Sequence, residues 1–252
     1  MIALEFPPIN EILRWKDLFP SFNKIALIAV AAALIGSIIF LLAGNKDPMK
    51  APKGVRNLAE TLVEFIENGI VMQTMGRDGL GWTPFLLSMF TFIYLCNVPG
   101  IIPFLQMPAT ARIAIPMFLS LLVWVVFIGT GFKHQGIGYL KSSLFPPGVP
   151  KALYILVTPI EFISTFLVRP FSLTVRLFAN MLAGHILLVT FALLSEALFQ
   201  AKGNPALIPM GVLPLFMLIF LTGFEVLVAF LQAYIFTILT AVYIGGAAHP
   251  EH

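Results

Sequence analysis

Residues 153–199, LYILVTPIEFISTFLVRPFSLTVRLFANMLAGHILLVTFALLSEALF, form an apolar run that is too long for one upright membrane helix. At about 1.5 Å per residue such a helix reaches roughly 70 Å, whereas the hydrocarbon core of a bilayer is about 30 Å thick. Two arrangements fit this run. Either two upright spans are separated by a break at Pro170, or the run is one bent or strongly tilted helix.

The composition of the chain is that of a membrane protein. Of its 252 residues, 59% are hydrophobic and 11% are charged, whereas soluble domains average about 25% charged residues. The small net charge of +3 is better explained by membrane orientation than by binding of nucleic acid. Because Cys96 is the only cysteine, the chain has no internal disulfide. The N-terminus has no basic region before an apolar stretch, so we expect no cleavable signal peptide.

Apolar stretches of about 20 residues divide the chain into membrane spans. We predict an all-α polytopic membrane protein with about five spanning helices, the last two long and antiparallel, in one membrane domain over residues 1–252. The predicted segments are an N-terminal arm at 1–23, a first span at 24–43, a cytoplasmic loop with an amphipathic helix at 44–81, two spans at 82–105 and 112–132, and a hairpin of long helices at 151–201 and 206–246. The second span is predicted to be irregular at its far end, around residues 97–103. Irregular backbone at membrane depth is tolerated only where it is buried in protein or lines water.

The amphipathic helix of the 44–81 loop has apolar residues at helical spacing on one side and charged residues on the other. The apolar residues are Val55, Leu58, Leu62, Phe65, Ile66 and Ile70, and the charged residues are Arg56, Glu60, Glu64 and Glu67. The pattern fits a helix that lies in the membrane interface. It fits equally well an amphipathic helix that packs against a partner.

Lysine and arginine residues indicate the orientation of the chain in the membrane. They concentrate in residues 46–77 and 133–151, which we place in the cytoplasm. The N-terminus and the 106–112 loop then lie outside, and the C-terminus is cytoplasmic if each long run crosses once. We expect a bacterial plasma membrane, with an organelle inner membrane or a thylakoid membrane as the alternative.

Arg176 lies near the middle of the 153–199 run. A guanidinium group is not deprotonated in proteins, and its placement in hydrocarbon costs at least about 2.5 kcal/mol. Such a group needs a partner or a task, and an ionisable residue inside a membrane is a functional-site hypothesis. The alternative is an arginine whose side chain extends to the lipid headgroups.

The two long runs are predicted to form an antiparallel hairpin that turns near Asn204, so residues equally far from the turn lie at equal depth. This register places Gln232 level with Arg176, and Glu225 nearly level with His185. Helical geometry separates the faces, since His185 is about two and a half turns from Arg176 and points to the other side. The stripe that contains the arginine comprises Arg169, Ser172, Arg176 and Asn180, and the stripe on the last helix comprises Glu225, Gln232 and Tyr243.

These side chains suit the movement of protons past a fixed cation. His185 and Glu225 can exchange protons near neutral pH, whereas Arg176 attracts a carboxylate and repels other cations. Gln232 can accept a hydrogen bond from Arg176, and Glu161 is placed near a cytoplasmic exit. Alternatively, His185 and Glu225 form a structural buried pair, and Gln232 makes a structural hydrogen bond between helices.

Three motifs resemble subunit a of the rotary ATP synthases. They are RPFSLTVRLFANMLAGH at 169–185, LQAYIFTILTAVY at 231–243 and NVPGIIP at 97–103. The resemblance covers roughly residues 50–248. It implies two offset aqueous half-channels and two long, tilted helices beside a ring of c subunits.

The resemblance also implies roles for single residues. Arg176 matches the essential arginine of the family, which faces the c-ring, and Asn180 and Gln232 match its asparagine and glutamine. Some members have Glu at the position of His185 and His at the position of Glu225, so this chain has the pair exchanged. That exchange favours a functional acid and imidazole pair.

The implied function is that of the proton-translocating stator subunit, which performs no catalysis by itself. The implied partners are the c-ring, b-type peripheral stalk subunits, the rest of the ATP synthase complex and the lipid bilayer, and we expect no nucleic acid, cofactor or metal. The residues predicted to serve proton translocation are Arg176, His185, Glu225, Gln232, Asn180, Ser172, Glu161 and Tyr243. The alternative is a stand-alone proton-coupled secondary transporter, which internal inverted repeats would favour; the sequence shows none by inspection.

Overall fold

The computed structural model describes residues 24–44, 53–102, 105, 107–145, 153–200 and 208–248. The predicted N-terminal arm at 1–23 and the hairpin turn around Asn204 lie outside these ranges. Within them, all regular secondary structure is helical. The α-helices of seven residues or more are α1 (Lys24–Gly44), α2 (Val55–Ile66), α3 (Thr83–Asn97), α4 (Ala114–Gln135), α5 (Gly138–Leu144), α6 (Tyr154–Phe162), α7 (Arg169–Phe199) and α8 (Val212–Ala248).

Five described stretches are long and apolar enough to cross a membrane. They are Lys24–Gly44, Gly76–Gly100, Ala114–Gln135, Tyr154–Phe199 and Pro209–Ala248. The predicted fold class, an all-α polytopic membrane protein whose last two helices are the longest, is therefore confirmed.

The ends of the spans alternate between two sides of the molecule. Lys24, at the start of α1, donates a hydrogen bond from Nζ to the Leu105 carbonyl at 3.5 Å, beside the segment that follows α3. At the other side, Gln135 Nε2 donates to the Ala247 carbonyl at 3.0 Å, so the ends of α4 and α8 meet. This alternation is the one that the predicted order of crossings requires.

The run at 153–199 forms one continuous helical rod, so the single-helix alternative is the one that the chain adopts. Pro170, the second residue of α7, does not end the helix. A proline lacks the N–H group and its ring crowds the carbonyl four residues earlier. The π-helical segment Ile163–Val168, which joins α6 to α7, supplies a wider turn at this place. The rod is 46 residues long, which corresponds to roughly 70 Å at about 1.5 Å per residue. The hydrocarbon core of a bilayer is only about 30 Å thick, so the rod must tilt or bend to cross it once.

The amphipathic helix α2 packs into the protein at its C-terminal end. It continues through a π-helical turn, Glu67–Val71, where Ile66, Ile70 and Val71 are fully buried. The Phe65 ring packs against the rings of Phe90, Phe230 and Tyr234 at centroid distances of 5.7–5.9 Å. At the N-terminal end of the helix, Val55 and Leu58 stay exposed. The C-terminal part of the apolar side of α2 is therefore covered by other parts of the chain. That its exposed N-terminal part lies in the membrane interface stays a prediction.

One stripe of α7 packs into the bundle and so sets the direction of the polar side chains on this helix. Leu173, Leu177, Met181 and His185 follow one another at four-residue spacing, and all four are buried. The three apolar members join the main hydrophobic core. Arg176 and Asn180 lie on an adjacent face, about 100° around the helix.

Candidate functional site in the long hairpin

Two polar contacts define the register of α7 against α8. Asn180 Nδ2 donates a hydrogen bond to Gln232 Oε1 at 2.7 Å. Glu225 packs on Gly184 so closely that a Cβ added to this glycine would lie 2.5 Å from the Glu225 Cδ and closer to both carboxylate oxygens. Glu225 thus lies one residue from the level that the sequence predicted, that of His185.

The partner of Gln232 on α7 is Asn180, one helical turn beyond Arg176, which the sequence predicted to lie level with Gln232. The side-chain oxygen of Gln232 accepts the hydrogen bond from Asn180, and no hydrogen bond joins it to Arg176 in the part of the chain that the structure describes. Its Nε2 group is buried and has no partner among the described residues. The sequence predicted that Gln232 accepts a hydrogen bond from Arg176, whereas in the structure it accepts one from Asn180.

A cavity of about 360 Å³ lies between the two long helices, and we call it the hairpin cavity. Its polar lining consists of Asn180 from α7 and of Glu225 and Gln232 from α8, and Gly184 completes the wall on α7. Glu225 is 6% exposed and Gln232 is 2% exposed. The hairpin cavity therefore brings a carboxyl group and two amides together at depth, a combination that can hold water and a mobile proton.

His185 lies near the same level but on another face of α7. It is 3% exposed and belongs to the buried stripe, and it is not among the residues that line the hairpin cavity. No hydrogen bond joins it to Glu225 within the described ranges. The structure therefore places the two groups at similar depth on different faces, and their action as a pair stays a prediction.

Arg176 lies at the middle of the stretch Tyr154–Phe199 and is half-buried. Val175, the preceding residue, is exposed, whereas Asn180, one turn later on the Arg176 stripe, bonds to α8. Arg176 therefore lies at the border between the outward face of α7 and the face that meets α8. Among the residues that the structure describes, none forms a hydrogen bond or an ion pair with the Arg176 guanidinium group. Its depth argues against a side chain that merely extends to the headgroups.

A second cavity, of about 370 Å³, lies at the other end of the hairpin, and we call it the basal cavity. Its polar lining comes from α4 to α8 and from the π-helical segment before α7, and consists of Gln135, Tyr139, Ser143, Glu161, Thr165, Arg169 and Tyr243. Burial raises the pKa of the Tyr139 hydroxyl, so this group is neutral at physiological pH. Two of the predicted site residues, Glu161 and Tyr243, therefore meet here, away from Glu225 and Gln232.

Arg169 is held in the basal cavity by aromatic rings. Its guanidinium carbon lies 5.1 Å from the centroid of the Tyr243 ring and 6.0 Å from that of Phe127. Both distances are within the range of cation–π attraction. Ser172, one turn along α7, is half-buried and lines neither cavity.

Three features of the site were not predicted from the sequence. Gly184 was part of a motif, but only the structure shows that the absence of a side chain there makes room for Glu225. The aromatic contacts of Arg169 join α4, α7 and α8. Thr174 and Ser120 share a buried hydroxyl–hydroxyl hydrogen bond of 2.5 Å between α7 and α4. Arg169, Thr174 and Gly184 all belong to the motif at 169–185, but the motif does not indicate which side chains each of them contacts.

The chain matches a protein-family model described as ATP synthase A chain over residues 25–245. It is 46% identical to ATP synthase subunit a of Frankia alni over 233 residues, which cover 91% of this chain and 79% of that protein. It is 41% identical to ATP synthase subunit a of Rhodococcus erythropolis over 231 residues, covering 91% and 83%. The protein of the same description from Mesorhizobium japonicum is 38% identical over 251 residues, covering 99% and 94%.

The fold and the site define a multi-pass helical membrane protein whose two longest helices carry ionisable and amide side chains at membrane depth. The chain belongs to the ATP synthase subunit a family.

Proposed function

We propose that the chain is the proton-translocating stator subunit of a rotary ATP synthase in a bacterial plasma membrane. In this role it performs no catalysis by itself and couples proton flow to rotation of a ring of c subunits. The family match, the five spanning stretches and the bacterial sources of the relatives support this proposal.

The observation that carries the proposal is the position of Arg176. The half-buried side chain lies between two polar cavities along α7, and no group in the described part of the chain pairs with it. A permanent cation in apolar surroundings needs a counter-charge. A carboxylate presented by the rotor supplies this charge as it passes.

The two cavities are the proposed proton half-channels. From outside, protons reach the rotor carboxylate through the hairpin cavity, past Glu225, Asn180 and Gln232, with His185 nearby at the same depth. The neutralised carboxyl group then moves with the ring through the membrane. On return it releases its proton into the basal cavity, where Glu161 and Tyr243 line the way to the cytoplasm.

Arg176 separates the two half-channels. It attracts the ionised carboxylate and repels protons and other cations, so a proton crosses only when the ring turns. Ser172 lies on the same stripe of α7, on the basal-cavity side of Arg176, where it can offer a hydroxyl group to the passing carboxylate.

The outward faces of the hairpin are the proposed rotor surface. Phe171 on α7 is 69% exposed, and Phe220 and Leu227 on α8 are 62% and 58% exposed. Exposed apolar residues at these depths suit contact with the c-ring on one side and with lipid on the other. We assign b-type peripheral stalk subunits to other surfaces of the chain, as in the family.

The test uses membrane vesicles that contain the whole synthase. We expect Arg176→Ala to abolish both ATP-driven proton pumping and proton-driven ATP synthesis. Arg176→Lys should not restore them, because an ammonium group lacks the planar fork of guanidinium and can lose its proton when buried. The control is Arg112→Ala, since Arg112 is exposed in the segment before α4 and lines neither cavity.

Wild-type coupling in Arg176→Ala vesicles would refute the proposed role of this arginine. Proton transport by the purified chain, reconstituted without other subunits, would favour the stand-alone transporter instead.

A further inference from the structure

A buried amide at the end of the second span holds the last helix beside the hairpin cavity. Asn97, the last residue of α3, is 1% exposed, and its Nδ2 donates a hydrogen bond to the Ala229 carbonyl at 3.3 Å. Ala229 is fully buried on α8. It lies four residues after Glu225 and three before Gln232, so the three residues share one face of the helix. The hydrogen bond therefore acts on the turn of α8 that joins the two polar groups of the cavity.

Thr110 determines which way the Asn97 amide points. This fully buried threonine donates from Oγ1 to Asn97 Oδ1 at 2.5 Å. Because this oxygen is already an acceptor, the NH₂ group of Asn97 must face α8. The segment around Thr110 is itself held against the end of α3, since a Cβ added to Gly100 would lie 2.8 Å from Pro108 Cδ.

Helix formation alone does not explain this arrangement. The Ala229 carbonyl lies inside α8, where the helix supplies a donor four residues later. An apolar side chain at position 97 would leave that carbonyl satisfied and would avoid burying an amide. The amide instead adds a directional contact between three separate parts of the chain: α3, the segment before α4, and α8.

We propose that Asn97, oriented by Thr110, is a positioning residue for proton translocation. It holds α8 at the place along α3 where Glu225 and Gln232 line the hairpin cavity. This inference rests on the proposed function, because it gives Asn97 a role only if protons use that cavity.

The first experiment measures the position of α8 directly, in membranes that contain the whole synthase. Ala183 and Val228 line the hairpin cavity from opposite helices, so a disulfide between Ala183→Cys and Val228→Cys reports their approach. Cys96 is replaced by alanine throughout. We expect the disulfide to form more slowly when Asn97→Ala is added, because α8 loses the hydrogen bond that ties Ala229 to the end of α3.

The second experiment measures passive proton conduction and ATP-driven acidification of vesicles without the introduced cysteines. We expect Asn97→Ala to lower proton conduction about fivefold, because loss of one neutral hydrogen bond lowers the population of correctly placed α8 by about this factor. The amount of assembled complex should be unchanged. Thr110→Val should lower conduction in the same direction, whereas Thr110→Ser keeps the hydroxyl group and should retain wild-type conduction. The control is Ser195→Ala, which removes a buried 3.2 Å hydrogen bond from α7 to the Gly211 carbonyl, away from the polar groups of the hairpin cavity.

Unchanged cross-linking in both Asn97→Ala and Thr110→Val would overturn the inference, as would altered cross-linking with wild-type conduction. If Asn97→Ala fails to assemble, the comparison of Thr110→Val with Thr110→Ser decides whether the inference holds. Valine removes the hydroxyl group and serine keeps it, so the pair separates loss of the hydrogen bond from loss of packing. Glu225→Gln is measured in parallel. Wild-type conduction in that variant would refute the proposed proton path itself, an outcome distinct from failure of the positioning role.

Discussion

Replacement of Gly184 by alanine tests whether the position of the Glu225 carboxylate matters. The added Cβ would lie 2.5 Å from Glu225 Cδ, whereas ordinary van der Waals contact begins at 3.4 Å. The carboxyl group must therefore retreat by about 1 Å. It has room to do so, because it ends a flexible side chain and borders the hairpin cavity of about 360 Å³.

The expected result is loss of function without loss of the protein. A displacement of about 1 Å at a reacting group can lower its rate up to about 100-fold, so we expect proton conduction to fall by about 10- to 100-fold. Alanine favours a helix over glycine by about 1 kcal/mol, so assembly should stay at the wild-type level. The measurements are passive proton conduction, ATP-driven acidification and the amount of subunit in purified complexes.

Two further variants make this prediction specific. Gly129→Ala is the control, because a Cβ at this position on α4 meets nothing within 4 Å. Glu225→Asp, combined with Gly184→Ala, shortens the acidic side chain by one methylene and should recover part of the lost conduction. Wild-type conduction in Gly184→Ala, or an equal loss in Gly129→Ala, would contradict the reasoning.

Two other predictions concern the same hairpin. Glu225→His and His185→Glu should each impair proton flux, because the first creates two imidazoles and the second two carboxylates. The double exchange should conduct better than either single variant. Purely additive losses in vesicle assays would show that the two residues do not act as a pair. With the native cysteine replaced by serine, Ser195→Cys should form a disulfide with Gly211→Cys but not with Leu218→Cys, which lies two turns further along α8; equal yields on mild oxidation would disprove the observed register.

The faces of α7 could be predicted from helical arithmetic alone. The rotation of about 100° per residue separates His185 from the stripe of Arg176 and Asn180, and the structure places His185 in the buried stripe. The partner of Gln232 was harder to predict. Arg176 and Asn180 lie one turn apart on the same stripe of α7, and equal depth alone does not decide which of the two a flexible side chain contacts.

The continuity of the long helix through Pro170 also escaped prediction from the residues alone. Proline usually ends or kinks a helix, and the compensating π-helical turn at Ile163–Val168 has no simple sequence signature. Here the resemblance to a family with long tilted helices supplied what the local pattern lacked.

The sequence by itself determined the membrane class, the spans, the amphipathic helix and the depth of Arg176. These properties depend on the length, periodicity and hydrophobicity of neighbouring residues, which are local quantities. Only the tertiary structure decided which polar groups meet. Asn97 and Ala229 are 132 residues apart in the chain, and Gly184 makes room for Glu225 across a helix interface. Such contacts depend on the packing of whole helix faces against one another, and no local pattern of residues encodes that packing.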